Sequence, residues 1–173
     1  MLSNENQYKH ALIYGGIFGG TIFLLLILGF ILGSANNANL QLFATIIFIT
    51  GVIISTRKYR DIQPDKVLPY GKAFGTAFLT NVVIGFIWAI YGYILYKSSP
   101  GLLEDKLYEV QEAYLRLGWN EEKVAETVEQ SSAIDIALSY FFSAVIYGGV
   151  LSLIVGAIFY RKPNPLMDQN EDN

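Results

Sequence analysis

Four stretches of the chain, residues 11–33, 40–56, 73–95 and 136–160, contain no Asp, Glu, Lys or Arg and are apolar almost throughout. A helix needs about 20 apolar residues to cross a bilayer core, so each stretch reads as a membrane span. Residues 40–56 are short and rich in Ile, Phe and Thr, a composition that would suggest a strand in water. In lipid every backbone polar group must be paired internally, which leaves only helices or a closed barrel. Barrel strands need only about 9–11 residues of alternating polarity, and these stretches do not alternate. The first stretch is too long for the apolar region of a secretory signal peptide, about 7–15 residues. The following Ser34-Ala35-Asn36-Asn37 is also a poor cleavage site, so the stretch predicts an uncleaved helix.

The polar segments supply the punctuation. Gly33 and the asparagines at 36, 37 and 39 predict a tight uncharged turn between spans one and two. Residues 57–72 read as a polar loop with Pro64 and Pro69. The segment 97–135 is the one sizeable stretch outside the spans. Pro100 marks a helix start, and Leu103, Leu107, Val110, Tyr114 and Leu117 recur at spacings of four and three, one apolar stripe. Gly118 interrupts that stripe. Asn120 is placed to cap a second helix, which could run on into the fourth span. Arg161-Lys162-Pro163 stops the last span, and the acidic residues 163–173 read as a disordered tail.

Composition narrows the class. The 173 residues are 53% hydrophobic and only 16% charged, against about 25% charged in a soluble domain. A single soluble globule, a disordered chain and a nucleic-acid binder with a basic face are excluded. Four spans leave no room for a separate catalytic domain. There is no cysteine, so disulfides, thiolate zinc sites and cysteine nucleophiles are excluded. The one histidine, His10, cannot make a multi-histidine metal site within one chain. No phosphate-binding glycine loop, HExxH motif or nucleophile elbow occurs, so no catalytic residue and no cofactor is expected.

Charge placement orients the spans. Basic residues flanking spans favour the cytoplasm. With four spans, Lys9, Arg57, Lys58, Arg60, Lys66, Lys72, Arg161 and Lys162 share one side. The opposite side carries Lys97, Lys106, Arg116 and Lys123 among a majority of acidic residues. Both termini are therefore expected in the cytoplasm, with 97–135 facing outward.

Few residues inside the spans carry chemistry. Small residues recur every four positions at Gly15/Gly19, Gly16/Gly20 and Gly29/Gly33, and at Ala144, Gly148, Ser152 and Gly156. Small faces let helix backbones approach closely in lipid. They predict that spans one and four pack together within the monomer, with a homodimer seam as the rival. Asn81, with Thr76 and Thr80, is the polar position of span three, and an interhelical hydrogen bond is favoured over a lined pathway. Asp135 sits at a helix start, where a carboxylate is electrostatically comfortable. Arg57, Lys58, Arg60 and Lys72 form a juxtamembrane basic group suited to lipid headgroups or to assembly. The stripe from Leu103 to Leu117 is expected to cover the bundle, since its acidic polar face argues against attraction to anionic lipid.

Several local patterns together carry a resemblance. They are Tyr14-Gly15-Gly16, Arg57-Lys58-Tyr59-Arg60-Asp61, Tyr70-Gly71-Lys72-Ala73-Phe74, Tyr96-Lys97-Ser98-Ser99-Pro100 and the basic exit after span four. Across residues 7–162 the chain resembles the bacterial membrane-protein family called domain of unknown function 4199. The resemblance implies four helices and an inner-membrane location. It implies no activity, and it marks the basic 57–72 loop as a shared functional or assembly element. The chain is thus expected to be an all-α, integral membrane four-helix bundle with an amphipathic helical insertion between spans three and four. A non-enzymatic accessory or assembly role is expected, and a small transporter or channel subunit is the alternative. The expected partners are the lipid bilayer and a membrane protein or second copy of the chain, not nucleic acid.

Overall fold

The computed structural model describes residues 4–34, 37–63 and 66–161. The tail at 163–173 lies outside the described residues. Among the described residues six α-helices follow in order: α1 (Asn4–Ile31), α2 (Ala38–Asp61), α3 (Tyr70–Ser98), α4 (Pro100–Arg116), α5 (Glu121–Gln130) and α6 (Ala133–Phe159). Helices α1, α2, α3 and α6 are long and apolar enough to cross a membrane. Their outward faces are apolar, with Leu24, Phe43, Phe86, Ile146 and Ile158 exposed, as a lipid-facing bundle requires.

Helix ends follow the local chemistry. Gly33 adopts φ +70, a left-handed conformation that suits glycine, and closes α1. The Asn37 side chain accepts from the Asn39 amide and opens α2. Asn120 does the same for α5, accepting from Glu122 N and Lys123 N at 2.9 and 3.3 Å. Ser132 and Asp135 form a capping box that starts α6, so α5 and α6 are separate helices rather than one continuous rod.

Two boundaries differ from the sequence reading. Arg57 to Asp61 belong to the last turns of α2, and Tyr70 to Lys72 to the first turn of α3. The loop is therefore shorter than 57–72. Absence of charge marks the part of a helix that sits in lipid, whereas the helix itself continues until the backbone is broken near the prolines.

Helix α3 is the central post. It has its largest interface with α6, then with α1 and α2, and it also touches α4. The expected pairing of spans one and four is corrected here, because α1 and α6 flank α3 and share no extensive interface. The Gly15/Gly19 face of α1 and the small-residue line of α6 are both spent on α3. A Cβ at Gly15 would meet Val83, and one at Gly19 would meet Ile87. On the other side Tyr140, Ala144, Gly148 and Gly156 of α6 lie against Gly92, Gly85, Asn81 and Phe74, in antiparallel order. Ser152 is fully buried within the same line and donates to the Gly148 carbonyl at 2.6 Å. Periodicity marks a close-packing face but carries no label for its partner.

The first and last described residues and the α2–α3 connection lie at one end of the bundle. The Arg161 amide donates to the Leu68 carbonyl at 3.1 Å, tying the exit of α6 to that loop. Helices α4 and α5 lie at the opposite end. Leu103, Leu107 and Val110 pack against the main core, whereas Leu117 and Trp119 are exposed. The stripe therefore covers the bundle over its first half and leaves it over its second.

Candidate functional site

Three polar residues in the middle of α3 are turned inward. Thr76, Thr80 and Asn81 each have no exposed surface. Thr76 donates to its own Lys72 carbonyl at 2.8 Å and accepts from the Gln7 side chain of α1 at 3.3 Å. Thr80 lies 2.8 Å from the Ser55 hydroxyl of α2 and donates to the Thr76 carbonyl. The Ser55 carbonyl in turn accepts from His10 Nε2 at 2.9 Å, which fixes the proton on that nitrogen. The His10 ring stacks on Tyr14 and meets Tyr59 edge-on, at centroid distances of 4.4 and 5.3 Å. These contacts run from α1 through α2 to α3; the sequence weighed His10 only as a metal ligand and did not single out Ser55. Serine and threonine hide in apolar spans by bonding backbone carbonyls, so composition does not mark them.

Asn81 donates to the Ala144 carbonyl of α6 at 3.2 Å, while its own carbonyl oxygen is buried without a partner. The hydrogen bond is interhelical, and Gly148 provides the space for the amide.

The basic group is divided by the fold. Arg60 is half-buried, 2.7 Å from Asp61 and 5.3 Å from the Phe159 ring centre. Arg57 lies 4.0 Å from Asp61 and is largely exposed. Lys58 is exposed and Lys72 half-buried at the same end. Arg57 and Lys58 are therefore left exposed at this end of the bundle, while Arg60 links α2 to Phe159 of α6.

One concave feature was not visible in the sequence. A cavity of about 500 Å³ lies at the α4 end, between α2, α3, α4 and α6. Helix α2 contributes Gln41, Thr45 and Phe48, and α3 contributes Trp88, Tyr91, Leu95 and Tyr96. Helix α6 contributes Tyr140, Ser143, Ala144 and Tyr147. Helix α4 roofs it with Leu102, Asp105, Lys106 and Glu109. The Tyr96 and Tyr140 hydroxyls are 2.6 Å apart, and the Tyr91 hydroxyl is buried with no partner. Lys106 Nζ lies 2.6 Å from Glu109. Partial burial pushes the Lys106 ammonium down, but the Glu109 carboxylate and the nearby Tyr140 phenol outweigh it and hold it above its ordinary value. Among the described residues no group of three or more His, Cys, Asp or Glu could hold a metal ion.

The family model described as "protein of unknown function (DUF4199)" matches residues 13–161, which include the basic group and the turn that opens α3. The chain belongs to the DUF4199 family. No curated protein and no solved structure matches it. The match begins within α1 and ends at the exit of α6, so every wall of the cavity in this DUF4199 chain lies inside the family's shared region. Gln7 and His10 lie just before it.

Proposed function

We propose that this DUF4199 chain is a non-enzymatic accessory or assembly protein of the bacterial cytoplasmic (inner) membrane. In this reading both termini face the cytoplasm and α4 and α5 face outward. The basic residues at the terminal end support that orientation, because Arg57, Lys58, Lys66, Lys72 and Arg161 share it. Partners are then the bilayer itself and a membrane protein meeting the outward end, where Leu117 and Trp119 stand free of the bundle.

One observation carries the choice of class. Thr76, Thr80 and Asn81, three polar residues of the central helix, are spent on helix contacts and have no exposed surface. A small transporter or channel subunit needs such groups on a water-lined face. The chain lacks cysteine, so single substitutions Thr76→Cys, Thr80→Cys and Asn81→Cys can be labelled with a membrane-impermeant thiol reagent. The expected result is uniform protection, and labelling of all three from one side would support the transporter reading instead. A green-fluorescent-protein fusion after Asn173 tests orientation, with fluorescence expected and a dark, exported fusion contradicting it.

A further inference from the structure

The cavity under α4 runs from the α4 end of the bundle inward along α3, a depth that matches one lipid leaflet. Trp88 lies about 15 Å below the end of α3 at 1.5 Å per residue, half of a roughly 30 Å bilayer core. Its rim between α2 and α6 is exposed on the lipid-facing side, through Thr45, Ser143 and Tyr147. A molecule already in that leaflet can therefore enter sideways.

The lining is graded. Phe48, Trp88 and Leu95 offer an apolar wall suited to an acyl chain. The roof carries two carboxylates and one ammonium, Asp105, Glu109 and Lys106. Lys106 is paired with Glu109, and Asp105 makes no ion pair among the described residues. Tyr91 also lines the cavity, and its hydroxyl is buried and without a partner, although buried phenols ordinarily find one.

We propose that this cavity is a binding site for an aminophospholipid of the leaflet on the α4 side. Its phosphate meets the Lys106 ammonium, and its primary ammonium donates to Asp105 and Glu109. Tyr91 donates to a phosphate or ester oxygen, and one acyl chain lies along Phe48 and Trp88. A glycerol headgroup brings negative charge to a roof that is already net negative. A choline headgroup has no N–H to give the carboxylates. The inference rests on the chain spanning a bilayer. It depends neither on which side is cytoplasmic nor on the accessory role.

The chain has two tryptophans, so Trp119→Phe leaves Trp88 as the sole reporter inside the cavity. The full chain with that substitution is placed in phosphatidylcholine vesicles. Small mole fractions of phosphatidylethanolamine, phosphatidylcholine or phosphatidylglycerol with brominated chains are then added. The expected result is saturable quenching of Trp88 by the ethanolamine lipid, at fractions where the other two give only the shallow rise of random contact. Asp105→Asn with Glu109→Gln should abolish that preference. Tyr91→Phe, which deletes one hydroxyl and leaves the ring, should shift the ethanolamine curve by about fivefold. Equal quenching by all three lipids, strongest quenching by the glycerol lipid, or no quenching by any overturns the proposal. A preference that survives both sets of substitutions overturns it as well. The cysteine labelling above fails or succeeds independently, so the two results separate the site from the role.

Discussion

The amide of Asn81 occupies the space that a side chain at Gly148 would fill, and it donates to the Ala144 carbonyl one turn away. Glycine at 148 and asparagine at 81 are thus one feature of the α3–α6 interface. Gly148→Ala should destabilise the protein by about 1–3 kcal/mol, as overpacking does, when melting is followed in detergent. Asn81→Ala in the same chain should recover part of the loss, because the two effects share one volume. Gly149→Ala meets only Phe78, at 3.8 Å, and should be close to neutral.

The two glycine pairs of α1 should separate in the same assay. Gly15 and Gly19 lie against Val83 and Ile87, whereas Gly16 and Gly20 face open space. Gly15→Ala and Gly19→Ala should lower the melting temperature. Gly16→Ala and Gly20→Ala should leave it unchanged or raise it slightly, through better helix propensity. If Gly16 and Gly20 form a seam between copies, their substitution would instead change the mass measured by light scattering.

Ser55→Ala removes one partner of Thr80, which keeps its bond to the Thr76 carbonyl. The expected cost is below about 1 kcal/mol, in line with interhelical hydrogen bonds in membranes. His10→Ala should cost more, since it also empties the space between Tyr14 and Tyr59. Equal costs would show that the ring stacking contributes nothing.

The Lys106–Glu109 pair gives the α4 roof a pH dependence of known sign. The Lys106 ammonium titrates above its ordinary value of 10.5, so its contribution is complete below that value and is lost as pH rises through the raised one. The pair is partly exposed and worth less than about 1 kcal/mol. The difference in melting temperature between the native chain and Glu109→Gln should therefore be constant from neutrality to about 10.5 and shrink above it. A difference that already falls away between neutrality and about pH 10 would contradict this.

The spans were legible because charge is excluded from lipid, and four charge-free stretches leave one architecture. Pro100, Asn120, Gly33 and Gly118 were legible because each has a narrow local use, which the first turn of α4, the cap of α5 and two left-handed backbones bear out. The partner of each small-residue face was not legible. Gly15 and Gly148 carry the same signal, yet both meet α3 from opposite sides. The cavity was also hidden, because its walls come from four helices and only folding brings Phe48, Trp88, Lys106 and Tyr147 together. His10 was dismissed as a metal ligand, and its role as a buried donor to Ser55 depends on a contact 45 residues away.

The position of α3 between α1 and α6 sets an order of construction. The ribosome delivers α1, α2 and α3 first, and these three can close the His10–Ser55–Thr80 contacts among themselves. The face that presents Phe74, Asn81, Gly85 and Gly92 must then wait while α4 and α5 are made. Asn81 finds its backbone acceptor only when the last helix arrives. The final span therefore acts as the keystone, and a nascent chain that stops short of it shows an unanswered amide to the lipid.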